Sequence, residues 1–350
     1  LIMTISEIVE RERIPVLPKQ IPSATTKDGR KKTTFPKKVI RVRENSKTDW
    51  NLIDSVKGCK GGCHGCYAAD SMHVTYAKIK FDKPIVQILE PNLLFQDGIR
   101  VIKKGRFWVR NGVLGDPSYC WETTVRCAEA LATLGIRSVI ITKMWKTPTE
   151  EQLWRLAMSD AVFHWSVIAG YDFPPWMDNP DGRIDKLIET FYSYDALFPK
   201  KHHTYLKGQD NVVRKDRVFL RICTIPYNDG CWEGELLNEA QDGFVDIAEQ
   251  NGWRRIETPW RMSKNHPAFD YCDSDNMKNP TSYHADRTNG YANAKKNRQK
   301  LMGTRYFDGD KFIDSDTPTI GCLTSCDECP NQCGTLSEAT KPGLFFSYAS

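Results

Sequence analysis

The chain carries a glycine-rich cysteine stretch at residues 58–67, which reads Gly58-Cys59-Lys60-Gly61-Gly62-Cys63-His64-Gly65-Cys66-Tyr67. Its three cysteines have the spacing C-x3-C-x2-C. Three thiolates this close together, on a backbone loosened by four glycines, can face one point in space. A [4Fe–4S] cluster normally takes four cysteine thiolates. A cluster held by these three would leave one iron open to a substrate or cofactor.

Two other uses of this stretch have to be weighed. A structural zinc site usually joins two short cysteine spacings into a closed shell of four ligands. The next cysteine, Cys120, is far downstream, but His64 would complete a small zinc knuckle. A disulfide framework does not fit a chain of 350 residues that starts without a secretory signal. Of these, the iron–sulfur interpretation agrees best with the spacing.

Around the cysteine stretch, short apolar runs alternate with segments of helical periodicity. This pattern predicts an α/β fold in which a parallel sheet closes, or nearly closes, into a barrel. The predicted strands are Trp50–Ser55, Arg106–Leu114, Arg137–Thr142, Ala161–Ile168, Arg217–Ile225 and Arg254–Thr258. The predicted helices are Trp121–Leu134, one that starts at Thr147–Glu150, Asp181–Tyr194, and one through Leu236–Ala248.

The cysteine spacing and the strand series together resemble the radical S-adenosylmethionine (radical SAM) superfamily. The resemblance implies a partial (β/α)6 barrel over residues 48–260, with the cluster loop after the first strand. It also implies a [4Fe–4S] cluster on Cys59, Cys63 and Cys66. Such an enzyme reductively cleaves S-adenosylmethionine to a 5′-deoxyadenosyl radical that abstracts hydrogen. Its electron donor would be a flavodoxin or a ferredoxin.

Candidate cofactor contacts stand at the ends of the predicted strands, where parallel barrels bind their ligands. Gly115 and Asp116 resemble the family's glycine-rich segment with an acidic residue for the methionine amine, although an Asp-Pro turn explains them too. Lys143 would meet a carboxylate, and Ser166 would bond the ribose. The family's aromatic residue before the third cysteine is missing, because Gly65 stands there. Tyr67 or His64 would take its place against the adenine.

Arg221, on the fifth predicted strand, is a further candidate of the same kind. Among the remaining cysteines, Cys231 and Cys272 lie in loops, where a spare ligand or a hydrogen donor is the alternative to the favoured structural role. Cys127 falls in a predicted helix and Cys223 in a predicted strand, and both are expected in the core.

A second cysteine group lies near the end of the chain, with the spacing C-x3-C-x2-C-x3-C. Four thiolates within so short a segment can close a metal site without help from the barrel. A second [4Fe–4S] cluster and a four-cysteine zinc site are both compatible with them. We favour iron–sulfur, since the separated cysteine pairs of a zinc ribbon are absent from this segment. The four residues are Cys322, Cys326, Cys329 and Cys333.

Positive charge is concentrated at the amino-terminal end. Residues 1–50 hold 12 Lys and Arg against 6 Asp and Glu, whereas the formal net charge of the whole chain is only +5. We therefore divide the chain into a basic arm (1–47), the barrel (48–260) and a carboxyl-terminal extension with the second cysteine group (261–350). A cationic arm of this kind contacts phosphates or is simply a solvated tail.

The substrate follows from weaker signals. The segment from Gly58 to Ala68 and the Ile-Thr-Lys end of the third strand look most like the spore photoproduct lyase-like branch, which includes enzymes that act on nucleic acid. With the basic arm, this makes a nucleic acid the expected substrate and a peptide the alternative. The rival class is a non-catalytic, zinc-stabilised nucleic-acid-binding protein.

Composition sets the remaining bounds. Hydrophobic residues make up 40% of the chain, enough for a sizeable core. No apolar run approaches the roughly 18 residues that a membrane-spanning helix needs. We expect a soluble, cytoplasmic protein without a membrane partner, in which twelve cysteines serve metal ligation more than cross-linking.

Overall fold

A computed structural model of the chain describes residues 29–45, 50–63, 66, 68, 79–169, 172, 182–198, 203–205, 213–224, 227, 230–259, 307–308 and 311–312. Fourteen strands and five α-helices are assigned within these residues. The strands are β1 Thr33–Thr34, β2 Arg43–Asn45, β3 Trp50–Ile53, β4 Val56–Lys57, β5 Ile79–Lys80, β6 Ile85–Val86, β7 Trp108–Asn111, β8 Arg137–Thr142, β9 Val162–Ile168, β10 His203–Tyr205, β11 Val213–Thr224, β12 Trp253–Pro259, β13 Phe307–Asp308 and β14 Lys311–Phe312. The helices are α1 Pro91–Lys103, α2 Trp121–Ala132, α3 Glu150–Met158, α4 Arg183–Ala196 and α5 Trp232–Gln250.

The central sheet contains six parallel strands in chain order: β3, β7, β8, β9, β11 and β12. They match the six strands predicted from the sequence, and the predicted helices follow four of them. Antiparallel β2 borders β3 at one edge, and antiparallel β10 pairs with the start of β11. No closure into a barrel is seen among the strands that the structure describes.

The helices pack on one face of this sheet. In β9, Phe163, Trp165 and Val167 join residues of α2, α3, α4 and α5 in the largest apolar cluster. His164 and Ser166 alternate with them and therefore belong to the opposite face. The residues of β9 are nevertheless nearly all buried, which explains why the strand reads as an almost continuous apolar run.

The helix α1 was not predicted from the sequence. It begins at Pro91, a residue favoured in the first turn of a helix, and it buries Leu94 and Val101 against the sheet. Arg100 and Lys103 in its last turn complement the helix dipole. This helix supplies the crossover between β3 and β7, so that each step between the first four parallel strands has its own helix.

The fold continues upstream of the boundary expected at residue 47. Phe35 and Ile40 are buried, β2 pairs with β3, and the amide of Ile40 donates to the carbonyl of Ile88 at 2.8 Å. Residues 31–45 thus belong to the body of the protein. The part of the basic arm before residue 29 lies outside the described residues.

Candidate functional site at the carboxyl edge of the sheet

The cysteine loop is fixed to the end of β7. The amide of Gly58 donates to the carbonyl of Leu114 at 2.8 Å, and Gly58 and Gly115 form a parallel bridge. A Cβ added at Gly115 would lie 2.6 Å from the carbonyl oxygen of Val56. Gly58 itself has a φ of +88°, in the region that favours glycine. The absence of a side chain at Gly115 therefore lets the backbone after β7 approach the backbone of Val56 and Gly58 closely. This contact places the cysteines at the carboxyl edge of the sheet.

The three cysteines of this loop lie close enough together for the charge of one thiolate to raise the pKa of another. Cys63 is buried, and Cys59 and Cys66 are half-buried. Burial raises the pKa of the Cys59 thiol to about 11, and the pKa of Cys63 lies well above its ordinary value for the same reason. Cys59 and Cys66 also pack against an apolar cluster that includes Phe35 and Phe81.

Cysteine thiolates are the usual ligands of an iron–sulfur cluster, but the side chains of Cys59, Cys63 and Cys66 do not converge on one metal position in this structure. Across the part of the chain that the structure describes, no three His, Cys, Asp or Glu side chains converge closely enough to hold a metal ion. Burial favours the protonated form of Cys59 and Cys63. Metal binding displaces such protons and draws thiolates together. The three thiols on one loop are the kind of ligand that a [4Fe–4S] cluster takes, and a cluster at this place stays a prediction.

Asp116 was expected to bind a cofactor amine, but its carboxylate accepts hydrogen bonds from groups of the protein itself. Its Oδ1 accepts hydrogen bonds from the amide of Ser118 at 2.9 Å and from the hydroxyl of Thr142 at 2.6 Å. Its Oδ2 accepts from the amide of Lys143 at 2.8 Å. This carboxylate caps the short 3-10 helix at Pro117–Cys120 and ties it to the end of β8. Asp116 therefore stabilises the Asp-Pro turn that follows β7. A contact between its carboxylate and the amino group of a cofactor stays a prediction.

Lys143, at the end of β8, forms the centre of a buried charge cluster. Its Nζ pairs with Asp172 and donates to the backbone carbonyl of Ser166 at 3.2 Å. Arg183 donates to Asp172 at 2.7 Å and to the carbonyl of Lys143 at 2.7 Å. Burial alone would lower the pKa of Lys143, but Asp172 outweighs it and the pKa is raised. Both partners therefore stay ionised beside Cys63, on which they act electrostatically.

Ser166 lies half-buried on β9, in register with Arg221 of β11. Both residues alternate with side chains that face the helices, and so belong to the opposite face of the sheet. The structure brings them to the same edge as the cysteine loop. Their expected contacts with a cofactor stay predictions.

Two aromatic residues that sequence reasoning missed hold the loop. Tyr119 Oη accepts a hydrogen bond from the amide of Lys60 at 3.0 Å and lies 3.8 Å from Sγ of Cys59. Trp145 packs against Gly61 so closely that a Cβ there would lie 2.5 Å from its ring. The guanidinium of Arg183 stacks over the same ring at 4.8 Å. The charge cluster around Lys143 thus connects through Trp145 to the cysteine loop.

Several predicted site residues fall outside the described residues. They are Tyr67, His64 and Gly65 of the first cysteine stretch, and Cys322, Cys326, Cys329 and Cys333 of the second. Asp172 and Arg183 were also missed from the sequence, although Asp172 follows a buried strand closely enough to be a candidate. Among the helices that the structure describes, none is long and apolar enough to span a membrane.

No protein-family model, curated protein or solved structure matches the chain. The site must therefore be interpreted from its own residues.

Proposed function

We propose that this chain is a radical SAM enzyme built on a partial (β/α)6 barrel. One observation supports the proposal most strongly. The loop with three closely spaced cysteines leaves the carboxyl end of the first of six parallel strands, beside the carboxyl ends of the next three. In parallel α/β folds this edge is the place where ligands bind. Six strands in chain order with helices on one face are also the arrangement that curls into a partial barrel.

In this proposal Cys59, Cys63 and Cys66 hold a [4Fe–4S] cluster. The cluster would supply the electron that cleaves the sulfonium bond of S-adenosylmethionine and so releases a radical able to abstract hydrogen. The chain's own part is to hold the loop and to keep fixed charges around it. The buried ion pair of Lys143 and Asp172 provides such charges in a place from which water is excluded.

The substrate we propose is a nucleic acid. Phe35 packs in the same apolar cluster as Cys59 and Cys66. Exposed cationic residues flank Phe35 on both sides in the chain: Arg30, Lys31, Lys37 and Lys38. Cations that track a phosphate backbone would bring a substrate strand to the cysteine loop. A peptide substrate has no comparable support among the described residues.

The decisive experiment is anaerobic reconstitution of the full chain with iron and sulfide, followed by reduction in the presence of S-adenosylmethionine. We expect formation of 5′-deoxyadenosine, and its loss in the variant with Cys59, Cys63 and Cys66 replaced by Ala. A Cys127→Ala variant is the matched control, since Cys127 is a buried thiol of α2 that belongs to a different apolar cluster from Cys59 and Cys66.

Metal content and S-adenosylmethionine cleavage in this experiment also distinguish the proposed enzyme from a non-catalytic, zinc-stabilised nucleic-acid-binding protein. Bound zinc without iron, and no cleavage of S-adenosylmethionine by the wild-type chain, would replace the enzyme by a zinc-stabilised binding protein. Full cleavage by the triple variant would contradict the assignment of these three cysteines. The second cysteine group is tested separately, because the triple variant should still retain iron there if Cys322, Cys326, Cys329 and Cys333 hold an auxiliary [4Fe–4S] cluster.

A further inference from the structure

Tyr119 reaches the cysteine loop from the turn that follows β7. Its hydroxyl oxygen lies 3.0 Å from the amide nitrogen of Lys60 and 3.8 Å from Sγ of Cys59. One hydroxyl group therefore contacts both the first cysteine of the motif and the residue after it. The sulfur of Cys59 also accepts a hydrogen bond from the amide of Gly61 at 3.3 Å.

The direction of the contact with Cys59 follows from proton counting. The amide of Lys60 can only donate, so it uses a lone pair of Tyr119 Oη and leaves the hydroxyl proton for another partner. A thiolate bound to metal carries no proton and can only accept. With iron on Cys59, the hydrogen bond between these residues must run from the hydroxyl of Tyr119 to the sulfur of Cys59.

The turn that presents Tyr119 is held at several points. Asp116 caps it by accepting from the amide of Ser118 and anchors it to the end of β8. The hydroxyl oxygen of Ser118 in turn accepts from the amide of Trp145 at 3.0 Å. Trp145 also packs against Gly61 of the loop. The hydroxyl of Tyr119 is therefore fixed relative to the loop by contacts that do not depend on a bound metal.

We propose that Tyr119 is a positioning residue that donates a hydrogen bond to the sulfur of Cys59 and thereby raises the reduction potential of a cluster held there. The inference rests on the proposed function. Reduction adds negative charge to a cluster and its thiolates, and a donor to a ligand sulfur stabilises that charge. Hydrogen bonds to the sulfurs are among the factors that set the potentials of iron–sulfur centres.

The test compares midpoint potentials of reconstituted full-length proteins by spectroelectrochemical titration, together with iron and sulfide content. The redox transition, iron and sulfide of the variant that lacks Cys59, Cys63 and Cys66 are subtracted, so that only the cluster on this loop is followed. Tyr119→Phe removes the hydroxyl and keeps the ring. Tyr192→Phe, on the exposed face of α4, is the matched control. A third protein carries 3-fluorotyrosine at position 119, which keeps the hydroxyl and makes it a stronger donor.

We expect Tyr119→Phe to bind iron and sulfide and to show a more negative potential than wild type, while Tyr192→Phe matches wild type. If Tyr119→Phe holds no cluster, the fluorotyrosine protein decides, and its potential should be more positive than that of wild type. Unchanged potentials in proteins that hold a cluster overturn the role of Tyr119 alone. A wild-type chain that takes up no iron and sulfide overturns the proposed function.

Discussion

Asp54 Oδ1 lies 2.7 Å from the backbone nitrogen of Leu114 and accepts its hydrogen bond. The residue that follows β3 is thereby joined to the segment that follows β7. The same oxygen accepts from the amide of Val113 at 3.0 Å, and Arg43 pairs with the other carboxylate oxygen. One buried carboxylate therefore sets how the first two parallel strands end, just where the cysteine loop begins.

Asp54 should make stability depend on pH. Burial raises its pKa from 3.8 to about 6, against the opposing effect of Arg43. The folded state thus holds the proton more tightly than the unfolded state. The resulting stabilisation is present below pH 3.8 and is lost as the pH rises through about 6, by about 3 kcal/mol in all. Asp54→Asn removes this titration, so wild type should lose stability relative to the variant between pH 4 and pH 7 in urea unfolding.

Asp97 offers a control of opposite sign. Burial would raise its pKa, but hydrogen bonds from Arg41, Arg100 and the amide of Val42 outweigh burial and lower it. Its stabilisation is therefore present above its ordinary pKa and is lost as the pH falls. Wild type should therefore lose stability relative to Asp97→Asn only as the pH falls below about 4. If it does so while the difference between wild type and Asp54→Asn stays constant from pH 4 to pH 7, the role given to Asp54 is wrong.

Asp160 should be a major stabilising residue at the amino edge of the sheet. It pairs with Arg137 at 2.5 Å and Arg217 at 2.6 Å, and both guanidinium groups are almost fully buried. Asp160→Asn keeps the side-chain shape and tolerates the φ of +50°, but removes the negative charge that pairs with two buried guanidinium groups. Loss of one partner from a buried ion pair costs about 3–5 kcal/mol. Urea unfolding should show this loss.

The exposed pair of Glu44 and Lys104 is the matched control for Asp160. Exposed ion pairs contribute little, because water already screens the charges. Glu44→Gln should therefore leave the urea midpoint unchanged. Equal effects of Asp160→Asn and Glu44→Gln would show that the burial of the Asp160 cluster has no energetic consequence.

Gly115→Ala should disturb the cysteine loop specifically. The added methyl group would meet three backbone atoms of Val56 and Gly58 at 2.6–2.8 Å, and backbone cannot move aside as a flexible side chain can. Overpacking of this kind costs about 1–3 kcal/mol. Gly105→Ala is the comparison, since nothing lies within 4 Å of its added methyl and only its φ of +71° is strained. The check is thermal unfolding together with iron uptake, and only Gly115→Ala should reduce iron uptake.

Nucleic-acid binding should depend on the cations around Phe35. Replacement of Lys31, Lys37 and Lys38 by Ala should weaken binding of a labelled oligonucleotide. It should also reduce the slope of log affinity against log salt by about 0.7–0.9 for each phosphate that these lysines no longer neutralise. The control triple is Lys103, Arg126 and Lys186, exposed cations on three different helices. Equal losses of affinity in both triples would mean that net charge alone attracts the strand.

Sequence reasoning succeeded where burial on both faces of a strand leaves an unbroken apolar run. Arg137–Thr142 was predicted with the bounds that the structure shows, because its branched residues fit a central parallel strand and little else. It failed for residues 31–45, where Phe35 and Ile40 are isolated apolar residues among prolines and lysines. Single buried side chains leave no periodicity, and only the tertiary fold reveals what covers them.

The sequence predicted where Asp116 and Lys143 lie in the fold, but not which residues they contact. Asp116 and Lys143 were placed correctly at strand ends, since parallel strands bring their carboxyl ends to one edge. Their roles could not be derived, because the Asp172 carboxylate and the Arg183 guanidinium come from the segment beyond β9. Tyr119 gave no signal at all, because a tyrosine after an Asp-Pro turn has many ordinary explanations.

The order of the six parallel strands has a consequence for how the chain acquires its structure during synthesis. Every strand from β3 to β12 in this series pairs with the one made just before it, so no strand waits for a distant partner. Pairing of neighbours keeps the entropy cost of loop closure low. The cysteine loop, Asp116, Tyr119 and Lys143 all come from the chain up to the residue that follows β8. A nascent chain would therefore assemble the part of this edge that holds the cysteine loop while its carboxyl-terminal half is still being translated, and the proposed cluster would find its three cysteines in place before the protein is complete.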